Sequence, residues 1–235
     1  DVWPRTSDGG LWHRWSLTGQ LWADGTYMAL PFLIEYGRAY GDREYAENEA
    51  ARQLLIYGRH LQDDGSGLLF HAYDEDGSSP WANPTTLRSP EYWCRGMAWY
   101  GVALVEVLEL LPTSHTSRAE LLERLNRFAT GIARYQDGAT GRWFQVVDKG
   151  NLADNWLETS CSAMFAYVLG RGIERGLIPA SFHDAAARGY QGVLNTISKG
   201  TDGRTNLVET VIGTSAGDLA YYLARQRLIN AWHGL

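Results

Sequence analysis

The side chains able to do chemistry are few and scattered. Asp24 is the one carboxylate in Gly19-Gln20-Leu21-Trp22-Ala23-Asp24-Gly25-Thr26-Tyr27-Met28. A carboxyl set among indoles and phenols loses hydration, which raises its pKa and prepares a general acid. The other reading of Asp24 is a plain N-cap for the helix that follows. Arg95, in Tyr92-Trp93-Cys94-Arg95-Gly96-Met97-Ala98-Trp99-Tyr100, is the only charge between Glu91 and Glu106. A guanidinium cannot be buried unpaired without a large penalty. Arg95 therefore either makes a structural ion pair or clamps a ligand carboxylate, with Trp93 or Trp99 stacking beside it. His13 and His71 fall at corresponding places in two copies of a short repeat. They read as residues facing a shared axis, or as a pair of satisfied loop histidines.

Glu158 is the rival carboxylate. In Asn155-Trp156-Leu157-Glu158 it reads as the third helical position of a capping box, a structural role. No dinucleotide or phosphate-loop glycine pattern occurs, no HExxH and no GxSxG. Asp24, His13 and His71 lack tight ligand spacing, so no metal is expected. Cys94 and Cys161 give neither a disulfide framework nor a zinc spacing, and both read as buried free thiols.

A site built from such scattered side chains needs elements that repeat. Four segments begin at Gly10, Gly67, Gly141 and Gly203 and continue into short β-prone runs. Helical patterns, usually two, lie between them, which argues for stacked helix pairs. Apolar residues at Ala46, Ala50, Leu54, Tyr57 and Leu61 mark a helix from Asp42 to Leu61. Pro90 opens another that Pro112 closes. Ser117-Arg118-Ala119-Glu120 is a capping box ahead of Leu121, Leu125, Phe128 and Ile132. Further helices are expected from Asp24 to Tyr40 with Pro31 kinking it near Tyr27, from Asn155, from Ser181 to Ile197, and from Gly217 or Asp218 onward. About seven helices and three or four very short strands result. No linker splits them and no long β-branched run supports a central sheet. An all-α toroid or barrel of helix hairpins over 1-235 is the natural packing.

Composition narrows the ligand. The chain has 235 residues, 45% hydrophobic and 20% charged, which is a globular mix with room for a full core. With 10 Trp, 13 Tyr and 6 Phe it holds more aromatic surface than a core requires, as ring-shaped ligands favour. A net charge of -6 argues against nucleic acid and anionic membranes as partners. The chain opens at Asp1 without Met and closes at Leu235 without a clear stop, so both ends read as cut.

Leu21-Trp22-Ala23-Asp24-Gly25-Thr26-Tyr27-Met28-Ala29 with Pro31-Phe32-Leu33 resembles a segment of glycoside hydrolase family 105, the unsaturated rhamnogalacturonyl hydrolases. So do Trp93-Cys94-Arg95-Gly96-Met97-Ala98-Trp99-Tyr100, Gly141-Arg142-Trp143-Phe144-Gln145-Val146-Val147-Asp148, Glu158 to Tyr167, Gly213 to Asp218, and Tyr221-Tyr222. The resemblance runs in order along nearly the whole chain. It implies a six-hairpin α/α barrel, here lacking roughly the first third and the last helix. It implies Asp24 as catalytic acid/base, and His13, His71, Arg95 and Trp99 as lining of the substrate pocket. Trp22, Met28 and Trp93 are implied as wall residues. The implied substrate is an oligosaccharide ending in a C4=C5 unsaturated uronic acid, hydrated at its vinyl ether without a cofactor. The neighbouring glucuronyl hydrolases of glycosaminoglycan fragments, and an inactive sugar-binding or oligomerising fragment, are the alternatives. Met28, Phe32, Leu33, Leu219, Leu223 and Leu228 are then expected to lack cover, which favours self-association.

Overall fold

A helix that is apolar all round has to be wrapped by others. Cys94–Leu110 is such a helix, buried from Cys94 to Ala98 and again from Tyr100 to Val105. The rest of the fold is what wraps it. The computed structural model describes residues 3–234. In chain order the elements are β1 (Gln20–Trp22), α1 (Gly25–Tyr40), α2 (Arg43–Leu61), β2 (Ala72–Asp74), α3 (Cys94–Leu110), α4 (Arg118–Arg134), β3 (Trp143–Phe144) and β4 (Leu157–Glu158). There follow α5 (Thr159–Glu174), α6 (His183–Leu194), β5 (Ile197–Lys199), β6 (Thr205–Leu207), β7 (Thr210–Val211), α7 (Leu219–Leu223) and β8 (Arg227–Leu228).

Helix α3 packs between α1 and α5, while α2 and α6 pair with α1 and α5 from outside. Helix α4 joins through α3 and α2, burying Leu121, Leu125, Phe128 and Ile132 along one stripe. The architecture is an arc of helix hairpins, as the periodicity predicts. Among the described residues no helix is long and apolar enough to cross a membrane.

The glycine repeat has a physical basis. Gly67, Gly141 and Gly203 adopt φ of 75°, 74° and 76°, the left-handed region that glycine enters without strain. In the first two, an aspartate earlier in the turn accepts from the amide just before the glycine: Asp63 from Ser66 N at 2.7 Å and Asp137 from Thr140 N at 2.8 Å. A Cβ at Gly67 would lie 2.3 Å from Arg127 O in α4, and one at Gly141 would lie 2.3 Å from Arg188 O in α6. Each turn is thus pressed against the outer helix of the following hairpin. In the first copy the left-handed residue is Gly9, one position before the expected glycine.

Other boundaries move as well. Helix α3 starts at Cys94 rather than near Pro90, because the backbone around Tyr92 and Trp93 is drawn into strand-like bonds: Val147 N donates to Tyr92 O and Cys94 N to Gln145 O. Helix α5 starts at Thr159, not at Asn155, whose side chain instead binds Val146 and Lys149 backbone. Helix α6 stops at Leu194, since Ile197–Lys199 pairs with Thr205–Leu207. Strands are more numerous than expected: the described residues hold four two-stranded pairs, none of them a central sheet. Helix α1 runs through Pro31 to Tyr40. The expected ends at Asp1 and Leu235 lie outside the described residues.

The uncovered surface agrees with expectation at one end. Met28, Phe32, Tyr36 and Tyr40, four residues apart along α1, are 58%, 68%, 50% and 73% exposed. Leu228 is also exposed, but Leu33, Leu219 and Leu223 are half-buried, Leu219 by packing against the cluster of Trp93, Val146, Trp156, Val211 and Tyr222.

Candidate active site

The site begins with a strand register. Strand β1 pairs antiparallel with β2, Trp22 opposite Ala72, and Ala23 N donates to His71 O at 3.0 Å. That pairing brings the residue after Ala23 beside His71. Asp24 occupies the N-cap position of α1, yet its side chain makes no capping bond. Its Oδ2 lies 3.0 Å from His71 Nε2 instead. The plain-cap reading of Asp24 therefore does not describe its carboxylate.

On the other edge of β1, His13 N donates to Gln20 O at 2.8 Å. This lays the His13 ring flat on Trp22, centroids 4.6 Å apart and planes 10° apart. Trp22 is fixed in turn by its Nε1, which donates to Gln20 Oε1 at 2.8 Å. His71 is wholly buried between Trp22, at 5.4 Å, and Trp93, at 4.5 Å. Its Nδ1 lies 2.7 Å from the hydroxyl of Tyr222, a residue 151 positions away.

Electrostatics correct one expectation. Burial pushes the Asp24 carboxyl up, as expected, but the charge and hydrogen bond of His71, with His13 behind it, outweigh burial. Asp24 ends below the usual carboxylate value. It is the acid of a hydrogen-bonded pair, not an isolated carboxyl in an apolar pocket. Burial holds the His13 imidazole below its ordinary value, the Asp24 charge opposing this and His71 and Arg14 adding to it.

Arg95 also departs from expectation. It is 1% exposed, and its terminal nitrogens donate to Val211 O at 2.7 Å and Ile212 O at 2.6 Å. Glu158 lies 3.9 Å away, and the guanidinium sits over the Trp93 ring at 5.0 Å. A fork 1% exposed that donates to two backbone carbonyls is engaged by the fold rather than turned to solvent. The geometry is that of the structural pair, one layer behind Trp93. Glu158 is that pair's buried anion and the N-cap of α5, not the third residue of a box. It accepts from Cys161 N at 2.7 Å, Val211 N at 2.9 Å and Ser160 Oγ.

Cys94 and Cys161 are joined as a disulfide tying the first turns of α3 and α5, which corrects the free-thiol reading. Sequence spacing gives no sign of it, since only the packing of α3 on α5 brings the two together. With Glu158 these cysteines form the one close group of three ligand-type side chains among the described residues, and the disulfide leaves it no thiolate to bind a metal. Asp24, His13 and His71 do not converge in that way.

Trp99 lies one turn beyond Gly96 in α3 and stacks on Tyr27, one turn into α1, at 4.9 Å and 22°. Both rings are half-buried. Met28 points into a mostly apolar cleft of about 450 Å³ that His13, Gly25, Trp12 and Tyr57 also line. Asp24 and His71 are not among its lining residues. The structure thus gathers Asp24, His71, His13, Trp22 and Trp93 into one cluster. Trp99 stands one helical turn away, Met28 in the adjoining cleft, and Arg95 behind the wall. Tyr222 and Gly96 belong to the cluster without having been singled out. Tyr222 lies in the Tyr221-Tyr222 pair of the resemblance but has no chemical signal of its own, whereas Gly96 is marked by being a glycine inside an apolar helix.

The family model described as Glycosyl Hydrolase Family 88 matches residues 2–235. A structure of a family 105 glycoside hydrolase from C. acetobutylicum ATCC 824 superposes with TM-score 0.93 at 35% identity, covering 98% of this chain and 66% of that one. Protein Atu3128 of Agrobacterium fabrum (strain C58 / ATCC 33970) is 45% identical over 151 residues, 64% of this chain and 63% of its own length. Unsaturated rhamnogalacturonyl hydrolase YesR of Bacillus subtilis (strain 168) is 29% identical over 171 residues, 71% of this chain and 46% of its own. The chain thus spans less than two thirds of the length of each of these relatives.

Proposed function

The chain belongs to glycosyl hydrolase family 88, and from that premise we propose that it hydrates the C4=C5 double bond of an unsaturated galacturonyl residue on lyase-generated rhamnogalacturonan oligosaccharides. The observation that carries this reading is the Asp24 carboxylate, off its cap and bonded to His71. The relative named for unsaturated rhamnogalacturonyl hydrolysis supports the choice of sugar.

The double bond is a vinyl ether, so protonation at C4 places positive charge on C5 and the ring oxygen. Asp24 gives that proton. Water adds at C5 and returns a proton to Asp24, which leaves the catalyst as it began. The C5 hemiketal then opens by breaking its bond to the ring oxygen. The exposed C1 hemiacetal collapses and releases the next sugar. This route needs one acid/base, unlike hydrolysis by two carboxylates.

An Asp24 held low is ionised at neutral pH, so the donated proton comes from the pair. An imidazolium beside a carboxylate holds the same protons as an imidazole beside a carboxylic acid. His71 can pass its Nε2 proton to Asp24, which hands that same proton on to C4. Once it has moved, a carboxylate faces a bare Nε2, and the water that adds at C5 returns the proton. Trp99 and Tyr27 offer ring faces for the adjoining sugar.

The test is loss of unsaturated-uronate absorbance on lyase-generated disaccharides of rhamnogalacturonan and of glycosaminoglycan. The rhamnogalacturonan product should turn over faster. Asp24→Asn should lower turnover by about 10²-fold or more with the fold intact, and a strong chelator should leave the rate unchanged. Wild-type turnover in folded Asp24→Asn would overturn the assignment.

A further inference from the structure

Tyr222 is wholly buried and held from several directions independent of His71. It lies in α7, whose first turn is capped by Asp218, with Oδ1 accepting from Tyr221 N at 2.8 Å. The carbonyl of Tyr222 accepts from Gln145 Nε2. Its ring stacks on Trp93, centroids 6.0 Å apart and planes 14° apart. Its hydroxyl oxygen accepts from Gly217 N at 3.2 Å and faces His71 Nδ1 at 2.7 Å.

A phenol has one proton to give and two lone pairs. The amide of Gly217 can only donate, so it takes one lone pair. The proton and the second lone pair remain for His71. When Nδ1 is bare, the Tyr222 hydroxyl donates to it; when Nδ1 carries a proton, the hydroxyl accepts. In both states the hydroxyl bonds Nδ1, so the ring keeps its orientation with Nε2 turned toward Asp24. A carboxylate in that place could only accept, and would trap the imidazolium. Burial, the first influence on Tyr222, raises its phenol well above the ordinary value, so it stays protonated throughout the working range.

We propose that Tyr222 is a positioning residue of the hydration reaction: its hydroxyl holds His71 so that the Asp24–His71 pair keeps its alignment through both protonation states. This rests on the reading of Asp24 as acid/base. Other charged or titratable groups face the pair and remain in place in the test. They are His13 from the N-terminal segment, Tyr57 from α2, Arg95 from α3, and His233 from the C-terminal turn. Glu91 and Tyr221 act on Tyr222 itself.

Tyr222→Phe keeps the ring stacked on Trp93 and removes only the hydroxyl. The expected result is a fall in kcat of about tenfold with KM changed by less than about twofold, the loss of one aligning hydrogen bond. The pH profile of kcat should also move, which a purely structural residue would not cause. Unchanged kcat and pH profile in Tyr222→Phe, alongside a dead Asp24→Asn, would sink the role of Tyr222 alone. No wild-type turnover on either disaccharide would sink the hydration reading and, with it, this role. Should Tyr222→Phe melt early, ¹⁵N shifts of the His71 ring in the wild-type protein carry the test. A hydrogen-bonded Nδ1 supports the proposal, and a free Nδ1 overturns it.

Discussion

Gly96 abuts His71 so closely that a methyl group there would lie 2.7 Å from the ring carbon Cδ2 and 3.2 Å from Asp24 Oδ2. Gly96 is helical, so this glycine serves space and not backbone conformation. Alanine would gain about 1 kcal/mol of helix propensity, yet it would drive a wholly buried ring off its partners. Gly96→Ala should therefore cut turnover by about tenfold or more while the melting temperature changes little. Turnover assays and a thermal melt on one preparation check this, and a wild-type rate would show that the ring can yield.

Arg95→Lys tests the committed fork. Lysine keeps the charge but cannot reach both the Val211 and Ile212 carbonyls as a planar guanidinium does. The expected loss is about 1.5–3 kcal/mol of stability, read as a lower urea midpoint, with KM unchanged. A raised KM at unchanged stability would return Arg95 to the role of a substrate clamp.

The Cys94–Cys161 bond closes a loop with a sequence separation of 67. Chain-entropy reasoning gives a stabilisation of about 4 kcal/mol for a loop of that size. Reduction should lower the denaturation midpoint accordingly, and alkylation with mass spectrometry before and after reduction should count the thiols released.

Acid should weaken the fold in a defined direction. The Asp24 carboxyl is held below its unfolded value: burial raises it, and His71 and His13 more than compensate. Asp8 and Asp63 are also lowered. Burial raises each of them, and it is outweighed by Thr6 and His60 at Asp8 and by Ser66 at Asp63. Groups depressed in the folded state contribute stability above their unfolded pKa, near 4, and lose it as pH falls through the folded value. Urea midpoints should thus drop below about pH 4, and Asp24→Asn should show a shallower drop than the wild type.

Met28, Phe32, Tyr36 and Tyr40 form an exposed stripe along α1, with the last two rings 4.5 Å apart. An apolar stripe of this kind favours association. Light scattering should show self-association of the purified chain that Phe32→Glu reduces, with no fall in melting temperature, because Phe32 is not part of the core. A monomeric wild type would show that the stripe is tolerated in water.

Local chemistry made much of this protein legible in its sequence. The three-to-four spacing of Ala46, Ala50, Leu54 and Leu61 requires a helix with a buried stripe, and the structure buries them in α2. Gly67 and Gly141 mark turns because only glycine enters the left-handed region without strain, and because a Cβ there would lie 2.3 Å from a backbone oxygen. Asp24 stood out because charge is rare among indoles. Tertiary structure alone decided what each charge does. Asp24 could cap or catalyse, and the register of β1 on β2 turned it toward His71. Arg95 could clamp or pair, and β7, more than a hundred residues on, took its fork. Tyr222 gains its place only when α7 folds back over Trp93. Helix and turn preferences act over a few residues, so they can be read from the sequence directly. The direction of a side chain, its partner and the pKa that results depend on contacts between segments that meet only in the folded chain.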